Sequence, residues 1–477
     1  MISFLLEYWP QVTIVGSGVI GTSAAVHAAM TKDDVRAAIG WVGVIMLSPV
    51  IGALLYLVAG INRIRQSAAG QRRADVERGH SHAFAPPVAI PVPPGFASMK
   101  NLGDQVAAFP LTAGNAVSLL DGGDVAYPEM LAAIGAAERH IALSSYIFDN
   151  DPVGVQFAEA LIAAQARGVA VRVLIDAVGA RYSRPSIVAR LREADVTTAL
   201  FMGNLVGLRL PYANLRSHRK MLVVDGALAF TGGMNIRAQF ASAFAGADVA
   251  HDTHFRVEGP AVGQLLTVFA HDWSFTTMER LTGDAWQIRE GAPRGGVAVR
   301  VVPSGPDRDL ACTHSMIMGA LAVAQHSVKI CSPYFLPDLQ LIGALGVAGR
   351  RGVDVDIVIP SNNNLKLVDC AMTAQLDQVL EANCRVWRAS GVFDHSKLLA
   401  VDGEWAYVGS SNLDPRSLRL NFELDLEVYD PMLSGEIAQR IAGKIAGARA
   451  ETLETLRARP FVIKLRNRAV WLGTPYL

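Results

Sequence analysis

SHRKMLVVDGALAFTGGMNI, Ser217 to Ile236, returns later in the chain as DHSKLLAVDGEWAYVGSSNL, Asp394 to Leu413. Both stretches obey one pattern, H-x-K-x4-D-x6-G-x2-N, with no change of spacing. Repetition of so many chemically active residues in register indicates one site assembled from two copies of a motif. The repeated positions are His218, Lys220, Asp225 and Asn235 in the first copy and His395, Lys397, Asp402 and Asn412 in the second.

The spacing within each copy has a physical interpretation. Residues two apart on a strand project from one face, so each histidine is expected beside its lysine. The Asp-Gly dipeptide that follows is a hairpin turn, which returns the chain on a second strand. We therefore assign Asp225 and Asp402 mainly structural roles, although they complete the motif. The glycine-rich bend brings the asparagine back to the pocket. Lysine and asparagine suit the non-bridging oxygens of a phosphodiester, while histidine attacks phosphorus or moves protons.

A longer repeat surrounds the motifs. IALSSYIFD, Ile141 to Asp149, and VKICSPYFLPD, Val328 to Asp338, each precede a helical stretch and a second apolar strand, VAVRVLID or VDVDIVIP. This order predicts two successive α/β lobes, each with a largely buried sheet. The charged, Gly/Pro-rich stretch from Arg289 to Gly296 is the expected boundary. The predicted division of the chain is 1–65 for the membrane segment, 66–110 for a spacer, 111–290 for the first lobe and 291–477 for the second lobe.

One more alternating strand follows each motif, DTHFRV from Asp252 to Val257 and ELDLEV from Glu423 to Val428. The two strands align through the prolines that follow them at the same distance. Asp252 and Glu423 are therefore equivalent positions of the repeat. Both carboxylates are interpreted as partners that orient the histidines, as in other His-carboxylate pairs. The alternative is a solvated strand residue.

Two stretches near the N-terminus, Val12 to Met30 and Ala37 to Asn62, contain no charged residue and approach or exceed the roughly 30 Å of a bilayer core. They predict two transmembrane helices. A signal peptide is the alternative, but MISFLLEYWP has no basic region. Basic residues are denser after the second stretch than between the two, so the positive-inside rule predicts cytoplasmic catalytic lobes. Gly79 to Met99 is rich in proline and predicts a semi-extended spacer.

Composition excludes several functions. The chain has 43 basic and 43 acidic residues, so it lacks the positive charge of a protein that grips nucleic acid. Its four cysteines have no CxxC spacing, which argues against a disulfide framework or a structural zinc site. His251-Asp252-x-His254 and His80-x-His82 superficially resemble metal ligands, but the first pair would point to opposite faces of a strand and the second lies in the spacer. No metal and no cofactor is expected.

These residues resemble the phospholipase D superfamily, whose members carry two H-x-K-x4-D motifs. The resemblance extends from about Asn115 to the end, and both motifs match without substitution. Within the superfamily the layout is similar to the bacterial cardiolipin synthases, through WVGVIMLSPVIGALLYLVAGINR, SPYFLPD and SSNLDPRSLRLNFELDLEVYDP. It implies an α/β fold in which two pseudo-twofold related α/β/α lobes follow two transmembrane helices in the inner membrane of a bacterium.

The resemblance also implies a metal-independent phosphatidyl transfer. His218 would attack the phosphorus of phosphatidylglycerol and His395 would protonate the departing glycerol. A second phosphatidylglycerol would then take the phosphatidyl group to give cardiolipin. Lys220, Lys397 and the two motif asparagines would hold the phosphate.

Other readings remain. A related hydrolase or head-group exchanger would use water or another alcohol, and the motif residues do not distinguish these acceptors. A membrane-anchored interaction protein without activity is disfavoured by the intact motifs. A nuclease is disfavoured by the balanced charge and the apolar N-terminus. The last segment, PFVIKLRNRAVWLGTPYL, is expected either at the membrane interface or packed on the second lobe. The sequence does not indicate an oligomeric state.

Overall fold

A computed structural model describes residues 2–32, 35–60, 90–203, 215–287, 291–306 and 311–474. The N-terminal helices belong to one compact unit, and the described residues from 90 onward, through 203 and again from 215, belong to another. Part of the predicted spacer and residues 289 and 290 of the predicted lobe boundary lie outside the described residues.

The N-terminal unit contains α1 (Ile2–Thr31), α2 (Val35–Leu47), α3 (Pro49–Leu55) and a π-helical turn at Tyr56–Gly60. Among the described residues, one helix is long and apolar enough to cross a membrane, over Gln11–Thr31.

The second predicted span, Ala37 to Asn62, is not one continuous helix. Ser48 leaves the helical conformation, with φ −145° and ψ 83°, and Pro49 begins the next helix. Proline has no N–H to donate, and its ring clashes with the carbonyl four residues earlier, so it favours a new helix start over the interior of a helix. The expectation of two transmembrane helices is therefore not confirmed, because the second stretch is divided into shorter helices at Ser48.

Helices and strands alternate in the remainder of the chain. The helices are α4 (Ala97–Val106), α5 (Gly123–Ala136), α6 (Pro152–Ala166), α7 (Ile187–Glu193), α8 (Ser242–Ala245), α9 (Ala261–Thr277), α10 (Cys312–Val323), α11 (Leu339–Arg350), α12 (Lys366–Glu381), α13 (Pro415–Arg419), α14 (Pro431–Ala446), α15 (Leu453–Arg457) and α16 (Phe461–Trp471). The strands are β1 (Thr112–Asp121), β2 (His140–Ser145), β3 (Ala170–Asp176), β4 (Thr198–Phe201), β5 (Arg216–Ser217), β6 (Met221–Val224), β7 (Leu228–Gly232), β8 (Thr253–Glu258), β9 (Val297–Ser304), β10 (Ser327–Cys331), β11 (Asp354–Pro360), β12 (Arg385–Ala389), β13 (Leu398–Val401), β14 (Trp405–Gly409), β15 (Asn421–Tyr429) and β16 (Arg449–Glu451).

The strands form one mixed sheet in the order β16-β12-β11-β10-β13-β14-β15-β9-β1-β8-β7-β6-β2-β3-β4, with β5 pairing β15 off this path. The order β1-β8-β7-β6-β2-β3-β4 on one side repeats as β9-β15-β14-β13-β10-β11-β12 on the other. The two series meet at the antiparallel β1–β9 pair. The predicted α/β class is confirmed, and the repeat seen in the sequence is a repeat of strand order.

The motif hairpins form where the sequence places them. β6 pairs antiparallel with β7, and β13 with β14. Asp225 and Asp402 have positive φ, 56° and 55°, and each is followed by a glycine that also has positive φ. Asp tolerates this left-handed conformation better than most residues, because its short side chain can bond locally.

Part of the predicted spacer is helical. Met99 of α4 is buried in the core of the second half, and Arg300 on β9 donates to Asp104 at 2.8 Å. Residues 97–106 are thus part of the packed body, because their apolar face has a core to cover.

Candidate active site

The two histidine motifs lie just before strands and not within them. His218 and Lys220 occupy the extended link between β5 and β6, and His395 and Lys397 directly precede β13. The backbone N–H of His218 donates to Phe422 O at 2.8 Å, and that of His395 to His251 O at 2.7 Å. Each histidine is therefore held against the strand segment of the opposite half.

The carboxylate partners are exchanged between the halves. His218 Nδ1 lies 2.8 Å from Glu423 Oε2, and His395 Nδ1 lies 2.8 Å from Asp252 Oδ2. Both carboxylates are fully buried. Each of the two carboxylates therefore contacts a histidine, and each contact joins the two copies of the motif. That the carboxylates orient the imidazoles stays a prediction.

The lysines complete a single cluster. Lys220 Nζ donates to the carbonyl of His218 at 2.6 Å, and Lys397 Nζ lies 2.9 Å from His395 Nδ1. Each lysine also acts electrostatically on the histidine of the other motif. The structure thus brings both histidines and both lysines into one pocket.

Burial dominates the electrostatics of this pocket. Burial and the adjacent Lys397 lower the pKa of His395 to about 4, and burial beside the lysines takes that of His218 well below its usual value. Burial also lowers the pKa of Lys220 to about 7 and lowers that of Lys397. In the same setting, burial raises the pKa of Glu423. A site of this kind favours neutral imidazoles until an anion enters and stabilises the protonated forms.

The two histidines differ in the surroundings of Nδ1. His218 Nδ1 faces two acceptors, the Glu423 carboxylate and the Ser410 carbonyl at 3.2 Å. It therefore carries the proton, which leaves the lone pair on Nε2. His395 Nδ1 faces the Asp252 carboxylate and also the Lys397 ammonium, an acceptor and a donor.

The motif aspartates lie at the turns, as expected. Asp225 accepts backbone N–H bonds from Glu138, Arg139 and His140 at 2.7–2.9 Å. Asp402 accepts the equivalent bonds from residues 325, 326 and 327 at 2.7–2.8 Å. Each carboxylate ties its hairpin to the start of a neighbouring strand, β2 or β10.

Both motif asparagines are buried. Asn235 Oδ1 accepts from Ile147 N at 3.1 Å, and Asn412 Nδ2 donates to Ser417 Oγ at 3.3 Å. These bonds fix loops at the pocket. Contact with phosphate stays a prediction.

Sequence reasoning missed three contributors. Ser410 Oγ donates to Glu423 at 2.5 Å, whereas the matching residue of the first copy is Gly233, where a Cβ would lie 2.3 Å from Asp252 Oδ1. The sequence signal for Ser410 was that Gly232-Gly233 of the first copy is replaced by Gly409-Ser410 in the second. Tyr146 and Tyr334 place their rings 5.2 and 5.8 Å from the rings of His218 and His395.

The remaining candidates are the histidines that superficially resemble metal ligands in the sequence. Within the described ranges, no group of three or more His, Cys, Asp or Glu side chains could hold a metal ion. His251 bonds to Asp121, whereas His254 is fully buried on β8. His80 and His82 lie outside the described residues.

Comparisons with known proteins identify relatives of this chain. The family described as "Cardiolipin synthase, PLD-like domain" matches residues 130–273 and 317–445, and "Phospholipase_D-nuclease N-terminal" matches residues 19–60. Cardiolipin synthase A of Pseudomonas aeruginosa is 32% identical over 97% of this chain and 95% of that protein. A cardiolipin synthase of Geobacillus kaustophilus is 30% identical over 92% of this chain and 88% of that protein.

A solved structure supports the fold alone. Phosphatidylserine synthase of Haemophilus influenzae superposes with a TM-score of 0.60 and 16% identity, over 80% of this chain and all of that one. With both motifs intact and family matches on both halves, the chain belongs to the cardiolipin synthase family of phospholipase D-like proteins.

Proposed function

We propose that this protein is a cardiolipin synthase that transfers a phosphatidyl group between two phosphatidylglycerol molecules, releasing glycerol. The observation that carries the proposal is the pair of exchanged, buried His-carboxylate contacts with two lysines in one pocket. One histidine can then act as nucleophile while the other moves protons. Full-length similarity to cardiolipin synthases supports the choice of lipid substrates.

In the first step, Nε2 of His218 attacks the phosphorus of phosphatidylglycerol, and the bond from phosphorus to the glycerol oxygen breaks. His395, protonated once the anionic lipid is bound, gives its proton to the departing glycerol. We assign attack to His218 because its Nδ1 faces two acceptors, which supports a lone pair on Nε2.

In the second step, the glycerol hydroxyl of another phosphatidylglycerol gives its proton to neutral His395. Its oxygen attacks phosphorus, the bond from phosphorus to His218 breaks, and cardiolipin leaves. The ammonium groups of Lys220 and Lys397, with the amides of Asn235 and Asn412, would stabilise the non-bridging oxygens in both steps. We propose that the reaction needs no metal.

The test uses detergent-solubilised protein, phosphatidylglycerol labelled in its glycerol head group, and EDTA. We expect one labelled glycerol released for each cardiolipin formed. Phosphatidic acid as the sole lipid product would identify a hydrolase and contradict the proposal. Activity that requires added metal would contradict metal independence alone.

The order of roles has a separate test. His218→Ala and His395→Ala are each expected to abolish turnover. Phosphatidylglycerol labelled in an acyl chain should leave label on the protein in His395→Ala and none in His218→Ala. The reverse pattern would exchange the two assignments.

We further propose a two-span anchor in the bacterial cell membrane with the lobes in the cytoplasm. α1 would form one span, and α2 with α3 would form a broken second one. The arginines that follow the second span outnumber Lys32 between the spans and Arg36 at the start of α2, which supports this orientation. In intact cells, an impermeant maleimide should label Lys32→Cys but not a cysteine at exposed Glu454. Division into residues 1–65, 66–110, 111–290 and 291–477 belongs to the same proposal, except that residues 97–106 of the second range are part of the packed body.

A further inference from the structure

The C-terminal helix α16 exposes an unusually apolar face. Phe461 is 72% exposed, Val462 74%, Leu465 56% and Leu472, just after the helix, 75%. At about 100° per residue, these four side chains fall within one outward sector of the helix. Large apolar side chains are common on surfaces singly, but a contiguous set on one helix face marks an interaction surface.

The opposite face attaches the helix to the body. Asn467 is buried, while Val470 and Trp471 pack partly buried against the core of the second half. Arg468 Nη2 pairs with Asp377 of α12 at 2.5 Å. The helix is therefore fixed to the body by this face, and its apolar face points outward.

The charges of α16 are all of one sign. Its sequence, FVIKLRNRAVW, contains three basic residues and no acidic residue. On a helical projection, Arg466 borders the apolar sector on one side, and Lys464 and Arg468 border it on the other. This arrangement of an apolar face between basic borders is that of a helix lying in the interface of an anionic bilayer.

We propose that α16 docks the catalytic body onto an anionic lipid surface, with its apolar face in the acyl boundary and Lys464 and Arg466 among the headgroup phosphates. A second copy of the chain fits this face less well, because a symmetric contact would bring the basic borders of two helices together. Anionic headgroups provide the opposite charge.

The helix α16 is also connected to the catalytic pocket through α12. α16 lies along α12, and Leu365 and Leu367 at the start of α12 are 47% and 60% exposed. Asn364 beside them accepts from the hydroxyl of Tyr334, whose ring contacts His395. Docking through α16 therefore holds a helix whose other end lies at the pocket.

The test reads the helix directly and does not depend on activity. Full-length protein in a Cys370→Ser background, in which the other cysteines are buried, carries an environment-sensitive label at Leu465→Cys. It is reconstituted in vesicles of phosphatidylcholine alone or mixed with phosphatidylserine. We expect a blue shift and quenching by lipid-borne quenchers that grow with phosphatidylserine. A label at exposed Glu159→Cys on α6 is the control and should report water throughout.

Two charge variants test whether the basic border of α16 contributes to docking. Arg466→Gln should lower the docked-to-undocked ratio of the Leu465 label about fivefold in the mixed vesicles. Arg190→Gln, which removes the same charge from an exposed position on α7, should leave it unchanged. A label that reports water in both vesicle types would overturn the proposal. So would burial in detergent that depends on protein concentration, which would identify a second copy as the occupant.

Discussion

At the scale of single residues, the contacts at Nδ1 of the two histidines determine what the pocket can do. Glu423→Gln and Asp252→Asn keep the shape of the carboxylates but lose the charge that holds each imidazole. We expect each substitution to lower turnover of phosphatidylglycerol at least a hundredfold, because the tautomer and the imidazolium both lose support. Glu258→Gln at the far end of β8 is the control and should keep activity. Near-normal turnover in either variant, with an unchanged thermal midpoint, would assign that carboxylate a structural role.

The lysines predict a pH dependence. A lysine holds phosphate only when protonated, and burial lowers the pKa of Lys220 to about 7. The ratio kcat/KM reports the free enzyme, so it should fall as the pH rises through about 7. Burial takes the pKa of His218 well below its usual value, so the neutral nucleophile is available well into the acid range. Lys220→Arg should move the alkaline fall to higher pH, since arginine keeps its charge. An unmoved fall would show that another group is responsible.

At the scale of elements, the motif aspartates belong to the hairpins. Asp402 accepts three backbone N–H bonds from the start of β10. Asp402→Ala would leave these donors without the carboxylate and place alanine at positive φ, so we expect a loss of about 2–4 kcal/mol in unfolding free energy. Asp402→Asn tolerates the turn and keeps one acceptor, and should lose about half as much. Turnover per folded molecule should be unchanged in both, measured after correction by thermal unfolding. A loss of turnover without a loss of stability would return this residue to the catalytic set.

The elements show what local sequence could predict. The paired apolar strands and Asp-Gly turns of the motifs follow from alternation and dipeptide chemistry, and the structure has them at these positions. The break at Ser48 was missed because the composition of Ala37 to Asn62 indicates apolarity, not continuity of the helix. The helix at residues 97–106 was missed because its apolar face packs on residues distant in the chain. Proline-rich composition nearby masked that short periodic pattern.

At the scale of the whole molecule, local sequence could not predict that each histidine contacts the carboxylate of the opposite half. Asp252 and Glu423 were identified from the repeat, but no pattern in one strand states which histidine it meets. The answer depends on the β1–β9 junction, which sets the two halves facing each other, and on β5, which pairs with β15 of the other half. Ser410 was missed for the same reason, since its acceptor is thirteen residues away on a neighbouring strand.

A charge network at the junction predicts a second pH effect. His251 bonds to Asp121 at 2.5 Å and lies 3.6 Å from Asp394, with Arg440 and Lys444 pairing the two carboxylates. The carboxylates outweigh burial and raise the pKa of His251 to about 9. Its contribution to stability is therefore complete below about 6.5, its usual value, and is lost as the pH rises through about 9. The thermal midpoint of the natural protein minus that of His251→Phe should be largest near pH 6 and smallest above pH 9. A difference that does not change with pH would show that His251 contributes only packing.

The exchange also makes the site a property of one whole chain. Within the described residues, His218 and its partner Glu423, like His395 and Asp252, bridge the two halves of the same molecule. Chains carrying His218→Ala and chains carrying His395→Ala, reconstituted together in one vesicle, should therefore remain as inactive as either alone. Denaturing and refolding the mixture should not change this. If the halves were instead shared between two chains, one site of each mixed pair would hold both histidines, and measurable cardiolipin formation would appear in the mixture. That outcome would move the proposed site from the single chain to a dimer.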